Sequence, residues 1–323
     1  MGDTTKIGWT DHTFNPHIGC QRVSPACGGA KGVGGCYAEA FVTGRMGYNP
    51  TSADSRRRLT VWGPPSASTR PRTSAANWKK PIAWDRAAKA SGIRSKVFCA
   101  SLADVFEDHP DLPSVRADLW PLIERCDGLD WQLLTKRPEN IRTMVPEAWL
   151  KAWPSHVWIG TTVEDQKRAE QRIPHLLSVP AAVRFLSMEP MLEHVDLDPP
   201  RCPYCRDGGE VQQLDAGQHF VQWCVRCDSE ACHGMWLDAC ADARQPGINW
   251  IITGGESGPG ARPYDLSWTR SIIAQCDAER VPVFVKQVGD HAVLDGKRLA
   301  FSRHGADISE WPAALQRQSF PSL

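Results

Sequence analysis

The sequence predicts an α/β protein built as a complete or partial βα (TIM-like) barrel, with a small metal-binding insertion. From residue 96 onward, short apolar runs alternate with amphipathic segments, which is typical of parallel strands covered by helices. Each apolar run ends in polar residues at the same point of the repeat. Between residues 193 and 248 a group of closely spaced cysteines interrupts this alternation, which indicates a separate insertion.

Six apolar runs are predicted to form the strands of the barrel. They are residues 97–101, 131–137, 157–161, 183–189, 249–255 and 281–286. Helices are expected over residues 113–125, 138–144, 147–152, 166–177 and 266–279, with Pro121 expected to kink or shorten the first of them. The expected segments are an N-terminal cysteine loop with a basic irregular segment (1–95), two barrel parts (96–192 and 249–323) and the insertion (193–248).

The composition is that of an ordinary soluble protein, and we expect it in the cytoplasm. Hydrophobic residues make up 41% and charged residues 23% of the 323 residues, which is enough for a sizeable core. There is no apolar run of 18 residues and no signal-peptide pattern, so no membrane association is expected. The formal net charge is zero and gives no global electrostatic reason to bind nucleic acid. In a reducing compartment the 12 cysteines are not expected to form disulfides. The clustered ones are expected to bind metal, and Cys99, Cys126 and Cys276 are expected to be buried as small apolar residues.

Three cysteines on one glycine-rich segment predict a metal site near the N-terminus. Cys20, Cys27 and Cys36 are separated by six and eight residues, and a helix is expected to begin at Cys36. Structural zinc is usually held by four protein ligands, whereas three thiolates around a cubane iron–sulfur cluster leave one iron open to a ligand. An iron–sulfur site is therefore favoured. A zinc site completed by His12 or His17, and three unligated thiols, are the alternatives.

Polar residues at the carboxyl ends of the predicted strands indicate a shared site, because βα barrels carry their function there. A bound amino acid needs a carboxylate for its ammonium group and a cation for its carboxylate. Glu189 or Glu256 can serve the first role and Arg137 or Lys286 the second, while strand-end hydroxyls can bind a sugar. The cofactor-binding candidates are Ser101, Asp104, Thr135, Arg137, Thr161, Glu164, Ser187, Glu189, Gly254, Gly255, Glu256 and Lys286.

The insertion carries two Cys-x-x-Cys pairs, which is the spacing of a zinc ribbon. The pairs are Cys202 with Cys205, and Cys224 with Cys227. A segment of this size has too small a core to fold alone, and a structural metal supplies the missing stability. Two further cysteines lie just beyond, at 232 and 240, so an auxiliary iron–sulfur cluster is the alternative to zinc.

Residues 42–95 are expected to be irregular and are rich in arginine and tryptophan. Arginines at 56–58, 70 and 72 together with Trp62, Trp78 and Trp84 could grip a phosphate backbone and stack on bases. The alternative is a solvated basic surface with no ligand.

Motifs spread over nearly the whole chain resemble the phage gene-product-thirty-seven/sixty-eight family, a three-cysteine domain that is radical-SAM-like. They include Trp9-Thr10-Asp11, Phe14-Asn15-Pro16, Gly19-Cys20, Cys36-Tyr37-Ala38-Glu39, Leu134-Thr135-Lys136-Arg137-Pro138, Phe185-Leu186-Ser187-Met188-Glu189-Pro190 and Gly254-Gly255-Glu256-Ser257-Gly258. The resemblance implies a 4Fe-4S cluster and S-adenosyl-L-methionine as cofactors, and Gly254-Gly255-Glu256 resembles the motif that holds the methionine amino group. The gap from Cys27 to Cys36 is longer than in that family, so it looks like an insertion.

Together these expectations predict a radical-SAM-like enzyme that modifies or repairs a nucleic-acid base or nucleotide through a 5′-deoxyadenosyl radical. Such an enzyme also needs an electron donor protein as a partner. The alternative is a non-catalytic, zinc-stabilised nucleic-acid-binding protein. A metal-dependent hydrolase ranks last, because histidines, the ligands that such sites use, are not placed at the strand ends.

Overall fold

The strands of the protein form one large parallel sheet and two small sheets. In chain order they are β1 (His12–Thr13), β2 (Ser95–Cys99), β3 (Leu129–Thr135), β4 (Val157–Thr162), β5 (Arg184–Met188), β6 (Val211–Asp215), β7 (Phe220–Cys224), β8 (Ser229–Glu230), β9 (Trp250–Gly254), β10 (Tyr264–Asp265), β11 (Val283–Gln287), β12 (Ala292–Leu294) and β13 (Lys297–Arg298). The computed structural model describes residues 5–28, 35–197, 247–258 and 260–322, and the backbone of β6, β7 and β8.

Helices follow most strands of the large sheet. They are α1 (Tyr37–Ala40), α2 (Ala75–Ser91), α3 (Leu112–Arg125), α4 (Ile141–Met144), α5 (Glu147–Lys151), α6 (Gln166–Leu177) and α7 (Leu266–Ala278). A π-helical turn, Phe41–Arg45, extends α1. The helix that was expected to begin at Cys36 is therefore present.

The large sheet is a curled, open half-barrel of seven parallel strands in the order β1-β2-β3-β4-β5-β9-β11. The predicted α/β class is confirmed, and of the two predicted forms of the barrel the partial one is present. All six predicted strands belong to this sheet. The edge strand β1 was not predicted, because two residues are too few to show an apolar pattern.

The prediction that residues 42–95 are irregular was wrong for α2, which spans 17 of them. The Ser74 hydroxyl accepts a hydrogen bond from the Asn77 N–H (3.3 Å) and caps the helix. Pro81 lies inside the helix, but Trp84 and Ala88 are buried in the core and offset the lost backbone bond. For the same reason α3 is not shortened at its internal proline and continues to Arg125.

An aromatic cluster fills the inner face of the half-barrel toward the amino ends of its strands. This inner cluster consists of Trp9, Phe98, Trp158, Val183, Phe185, Trp250, Ile252 and Phe284. Trp250 is central to it, with its ring centroid 5.8 Å from that of Phe185 and 6.0 Å from that of Trp158. The Trp250 indole N–H donates to the Ser319 carbonyl (2.8 Å), so the C-terminal segment covers this end. The carboxyl ends of the strands are left for polar residues.

The insertion between β5 and β9 contains an antiparallel sheet of β6, β7 and β8. Cys202, Cys205 and Cys227 lie outside the described residues, and Cys224 is described only as the last backbone position of β7. The zinc-ribbon prediction therefore stays a prediction.

Among the described helices, none combines the length and apolarity that crossing a bilayer requires.

Replacing Trp250 by alanine tests the inner cluster. The change removes a fully buried ring and one hydrogen bond, so we expect a loss of about 3–5 kcal/mol in the free energy of unfolding. Denaturant unfolding measures it. Ile93→Ala is the control, because Ile93 is 71% exposed and its loss should change stability by less than about 0.5 kcal/mol. Equal losses of unfolding free energy for the two substitutions would contradict a central role of Trp250 in the inner cluster.

Candidate metal centre

The cysteine loop, defined here as residues 19–28 and 35–36, lies against the carboxyl ends of the strands. Its first residue, Gly19, donates a backbone hydrogen bond to the Leu102 carbonyl (3.1 Å), just after β2. Gly19 has a φ of +98°, and a Cβ there would lie 2.1 Å from the Val61 carbonyl oxygen. Only glycine fits this position, which sets the direction in which the chain enters Cys20.

Asp104, after β2, and Arg137, after β3, form an ion pair that contacts the start of the loop through Arg137. Arg137 Nη1 lies 2.9 Å from Asp104 Oδ2 and 3.4 Å from Cys20 Sγ, and Nη2 donates to the Gln21 carbonyl (2.8 Å). The Thr135 hydroxyl donates to Asp104 Oδ1 (2.8 Å). We call this group the Asp104–Arg137 anchor. It joins two neighbouring strands to the first thiol.

The anchor keeps both of its charges despite burial. Burial favours a neutral Asp104, but Arg137 and the hydrogen bond from Thr135 outweigh it and hold the pKa of Asp104 below its usual value. Burial raises the pKa of the Cys20 thiol to about 12, against an opposing effect of Arg137. Without a metal Cys20 is thus a neutral thiol at pH 7, and binding a metal there must release its proton.

A second buried ion pair supports the same part of the loop. Arg70 Nε lies 2.7 Å from Glu107 Oε2, and the two side chains are 0% and 2% exposed. Glu107 Oε1 also accepts the Gln21 N–H (2.9 Å). Sequence reasoning missed this pair, because Arg70 looked like part of a basic surface. The three-residue spacing from Asp104 to Glu107, on one turn after β2, was the available signal.

Glu164, which follows β4, holds the middle of the loop. Its Oε1 accepts the Ala26 N–H (3.3 Å), and its Oε2 lies 2.7 Å from Arg172 Nη1 on α6. Burial opposes the charge of Glu164, but the nearby Arg172 lowers the pKa of the carboxyl below its usual value. The carboxylate is therefore ionised and oriented by α6.

Glu256, which follows β9, acts on the loop through Arg262. The Arg262 guanidinium donates to both Glu256 oxygens, with Nε 2.9 Å from Oε2, and its Nη1 donates to the Pro25 carbonyl (2.7 Å). A backbone hydrogen bond from Gly35 also reaches Glu256. Burial opposes the charge, but these donors hold the pKa of Glu256 below its usual value. Both sides of the Cys27–Cys36 segment are thus tied to one strand end.

Cys27 and Cys36 lie at the base of the segment that separates them. A Cβ on Gly28 would lie 3.0 Å from Gly35 Cα, so the chain leaves and returns at nearly one point. Burial raises the pKa of Cys36, and Cys27 adds to the shift. All three loop cysteines are free thiols. Within the described ranges, the chain gathers no group of three or more His, Cys, Asp or Glu side chains placed to hold a metal.

The two histidines considered as a fourth zinc ligand have other surroundings. His12 stacks on Trp84, with ring centroids 4.3 Å apart. His17 is fully buried, neither ring nitrogen has a hydrogen-bond partner, and burial lowers its pKa to about 3. Since neither belongs to a ligand group in the described part of the chain, the zinc alternative stays a prediction.

Glu189 and Lys286 form an ion pair at the ends of β5 and β11. Lys286 Nζ lies 3.2 Å from Glu189 Oε1, but that oxygen makes no hydrogen bond, so the contact is only Coulombic. A Cβ on Gly254 would lie 2.8 Å from the same oxygen and 3.0 Å from the Gln287 carbonyl oxygen, so a larger residue there would displace the Glu189 carboxylate. Ser187 is buried on the strand that leads to Glu189.

The remaining predicted residues make contacts within the protein. Ser101 accepts a hydrogen bond from the Asn15 amide (3.0 Å), and Thr161 donates to the Thr135 carbonyl (2.9 Å). A Cβ on Gly255 would meet the Val288 carbonyl oxygen at 2.8 Å. The structure thus brings most of the candidates to one end of the sheet, and their roles in binding a cofactor stay predictions.

The basic segment is less open than expected. Arg70 is buried, Trp84 is in the core, and Arg72 lies 3.6 Å over the Trp78 ring. The arginines at 56–58 are exposed. Trp62 pairs through its backbone with Cys20, so this part of the segment covers the cysteine loop.

A cavity of about 610 Å³ lies beside the cysteine loop. Its lining includes Gln21 and Val23 from the loop, Lys136 after β3, and Arg172 and His175 from α6. Lys136 is close enough for its charge to act on Cys36 and on Glu164. Acidic residues, Glu107, Asp108 and Glu139, line the cavity as well, so it combines charges of both signs with direct access to the loop.

Residues 4–311 match the model of a family described as a protein of unknown function, DUF5131. The chain belongs to the DUF5131 family. No curated protein and no solved structure matches it. The match extends over the cysteine loop, the half-barrel and the insertion, so one family unit contains all of the features described above.

Replacing Glu107 by glutamine tests the buried ion pair under the loop. The change keeps the shape but leaves the Arg70 charge unpaired, and we expect a loss of about 3–5 kcal/mol in unfolding free energy. Asp54→Asn is the matched control, since Asp54 forms an exposed ion pair with Arg56 and should have little effect on stability. A Glu107→Gln protein as stable as the control variant would rule out the supporting role.

Proposed function

We propose that this protein is a radical-SAM-like enzyme with an iron–sulfur cluster held by Cys20, Cys27 and Cys36. One observation carries the proposal: three free thiols lie on a single loop that is tied to the carboxyl ends of β2, β3, β4 and β9 of a partial βα barrel. Function in such barrels is located at those ends. The donor chemistry also fits, because thiolates are the usual ligands of iron–sulfur clusters, and binding a cluster would have to bring the three thiols closer together than they lie in the structure.

When bound, such a cluster supplies an iron without a protein ligand and an electron for reductive cleavage of S-adenosyl-L-methionine. The residues of the chain have supporting tasks. Arg137, Glu107, Glu164 and Arg262 hold the loop in position through the contacts given above. Glu189 binds the amino group of S-adenosyl-L-methionine, and Lys286 binds its carboxylate group. These contacts replace the ion pair that the two residues form with each other.

We further propose a nucleotide or nucleic-acid base as the substrate. Lys136 lines the cavity beside the loop and suits a phosphate group, whereas Arg172, which also lines it, is paired with Glu164 and the lining includes the acidic residues Glu107, Asp108 and Glu139. Tyr37, next to Cys36, stacks on Phe41 with ring centroids 5.9 Å apart and is 68% exposed, so the exposed part of its ring can stack on a base.

Anaerobic reconstitution with iron and sulfide tests the reaction class. We expect a brown protein that absorbs at roughly 400 nm and, after reduction, converts S-adenosyl-L-methionine into 5′-deoxyadenosine and methionine. Cys20→Ser, Cys27→Ser and Cys36→Ser should each abolish the conversion and lower the iron content. Cys126→Ala, which changes a buried thiol after α3, should retain both properties.

A colourless protein that takes up only zinc under these conditions would sink the proposal in favour of the zinc-stabilised binding protein. Loss of activity in the Cys126→Ala protein alongside the loop variants would show that the loop thiols have no special role. Retention of cleavage by the Cys27→Ser protein would remove that residue from the ligand set.

The proposed substrate class is tested by measuring the affinity for single-stranded oligonucleotides and for nucleotides at several salt concentrations. Lys136→Gln should weaken binding and lower the slope of log affinity against log salt by about 1, as loss of one phosphate contact does. Lys297→Gln, which changes an exposed lysine on β13, is the control and should leave the slope unchanged. Equal slopes for both variants would exclude Lys136 from the substrate site.

A further inference from the structure

We infer that Arg137 is a positioning residue that raises the reduction potential of a cluster bound at Cys20. The inference rests on the proposed function, since it requires an iron–sulfur cluster on the loop. It concerns one contact, the 3.4 Å approach of Arg137 Nη1 to Cys20 Sγ. By contrast, the side chains of Glu164 and Arg262 bind backbone atoms of the loop, at Ala26 and Pro25 respectively.

The guanidinium of Arg137 is fixed before any ligand arrives. Its side chain is only 8% exposed, and it lies between Asp104 Oδ2 at 2.9 Å, the Gln21 carbonyl at 2.8 Å and Glu107 Oε1 at 3.6 Å. These acceptors surround the planar group on several sides. Arg137 therefore cannot turn away from the sulfur without losing buried ion pairs, which is costly.

A fixed N–H donor beside a ligand sulfur changes the energy of electron uptake. Reduction adds negative charge to the cluster, and a nearby cation or sulfur hydrogen bond stabilises the reduced form. The effect is larger in a buried site, where the effective dielectric constant is low. Asp104 Oδ2 accepts from the same Nη1 atom at 2.9 Å, and its negative charge acts on the potential in the opposite direction.

The contact is more than a means of holding the loop in place. Gln21 is already held through its N–H by Glu107 and through its carbonyl by Arg137 Nη2. The bond from Nη1 to sulfur is additional to these. A purely structural arginine would need only the backbone contact, as Arg262 shows at Pro25.

The test is the midpoint potential of the reconstituted full-length protein, measured by an anaerobic titration with dithionite and mediators that is followed by electron paramagnetic resonance. Arg137→Gln should lower the ratio of reduced to oxidised cluster at a fixed potential by roughly tenfold, which is about 59 mV for a one-electron couple. Asp104→Asn should shift the potential in the opposite, positive direction. Arg262→Gln is the matched control, because it loosens the same loop without touching a sulfur, and its shift should be smaller.

A wild-type potential in Arg137→Gln, or shifts of the same sign in Arg137→Gln and Asp104→Asn, would overturn the inference. If Arg137→Gln retains no iron, Arg137→Lys replaces it, since lysine keeps the charge and loses the planar fork; a more negative potential supports the inference and an unchanged one refutes it. Loss of iron from both Arg137 variants would show that Arg137 is structural only. Failure of the wild-type protein to bind iron would instead refute the proposed function itself.

Discussion

The buried ion pair between Asp104 and Arg137 is the interaction on which the candidate site depends. Two charges taken out of water are stable only together, so removing either one leaves a buried charge without compensation. This pair joins the ends of β2 and β3 and continues to Cys20 and Gln21. The position of the first thiol therefore depends on the register of two parallel strands as well as on the backbone conformation at Gly19.

The two ends of the half-barrel are built from different kinds of side chain. Toward the amino ends of the strands, the inner cluster around Trp250 fills the concave face with aromatic rings and is covered by the C-terminal segment. Toward the carboxyl ends, ionised side chains replace the rings. Most of these charges orient the cysteine loop, whereas the Glu189–Lys286 pair links the ends of β5 and β11 through a contact in which Glu189 Oε1 makes no hydrogen bond.

The sequence predicted the sheet well, because each buried strand is a short apolar run and the runs recur in phase with helices. It also located the strand-end residues. It did not reveal which of them act together, since pairs such as Arg70–Glu107 and Glu256–Arg262 are decided by tertiary packing. The helix α2 was missed for a related reason. Its internal proline argues against a helix locally, although its alanines, lysines and arginines favour one, and the burial of Trp84 and Ala88 against the sheet outweighs the proline.

The close approach of Gly28 and Gly35 has a consequence for how this loop can change over evolution. Because the chain returns to nearly the point from which it left, residues can be added between these glycines without displacing either flanking thiol. The entropic cost of a longer closed loop grows only with the logarithm of its length. Related chains can therefore differ in length at this position, and a peptide tag could be inserted there, while Cys27 and Cys36 keep their places.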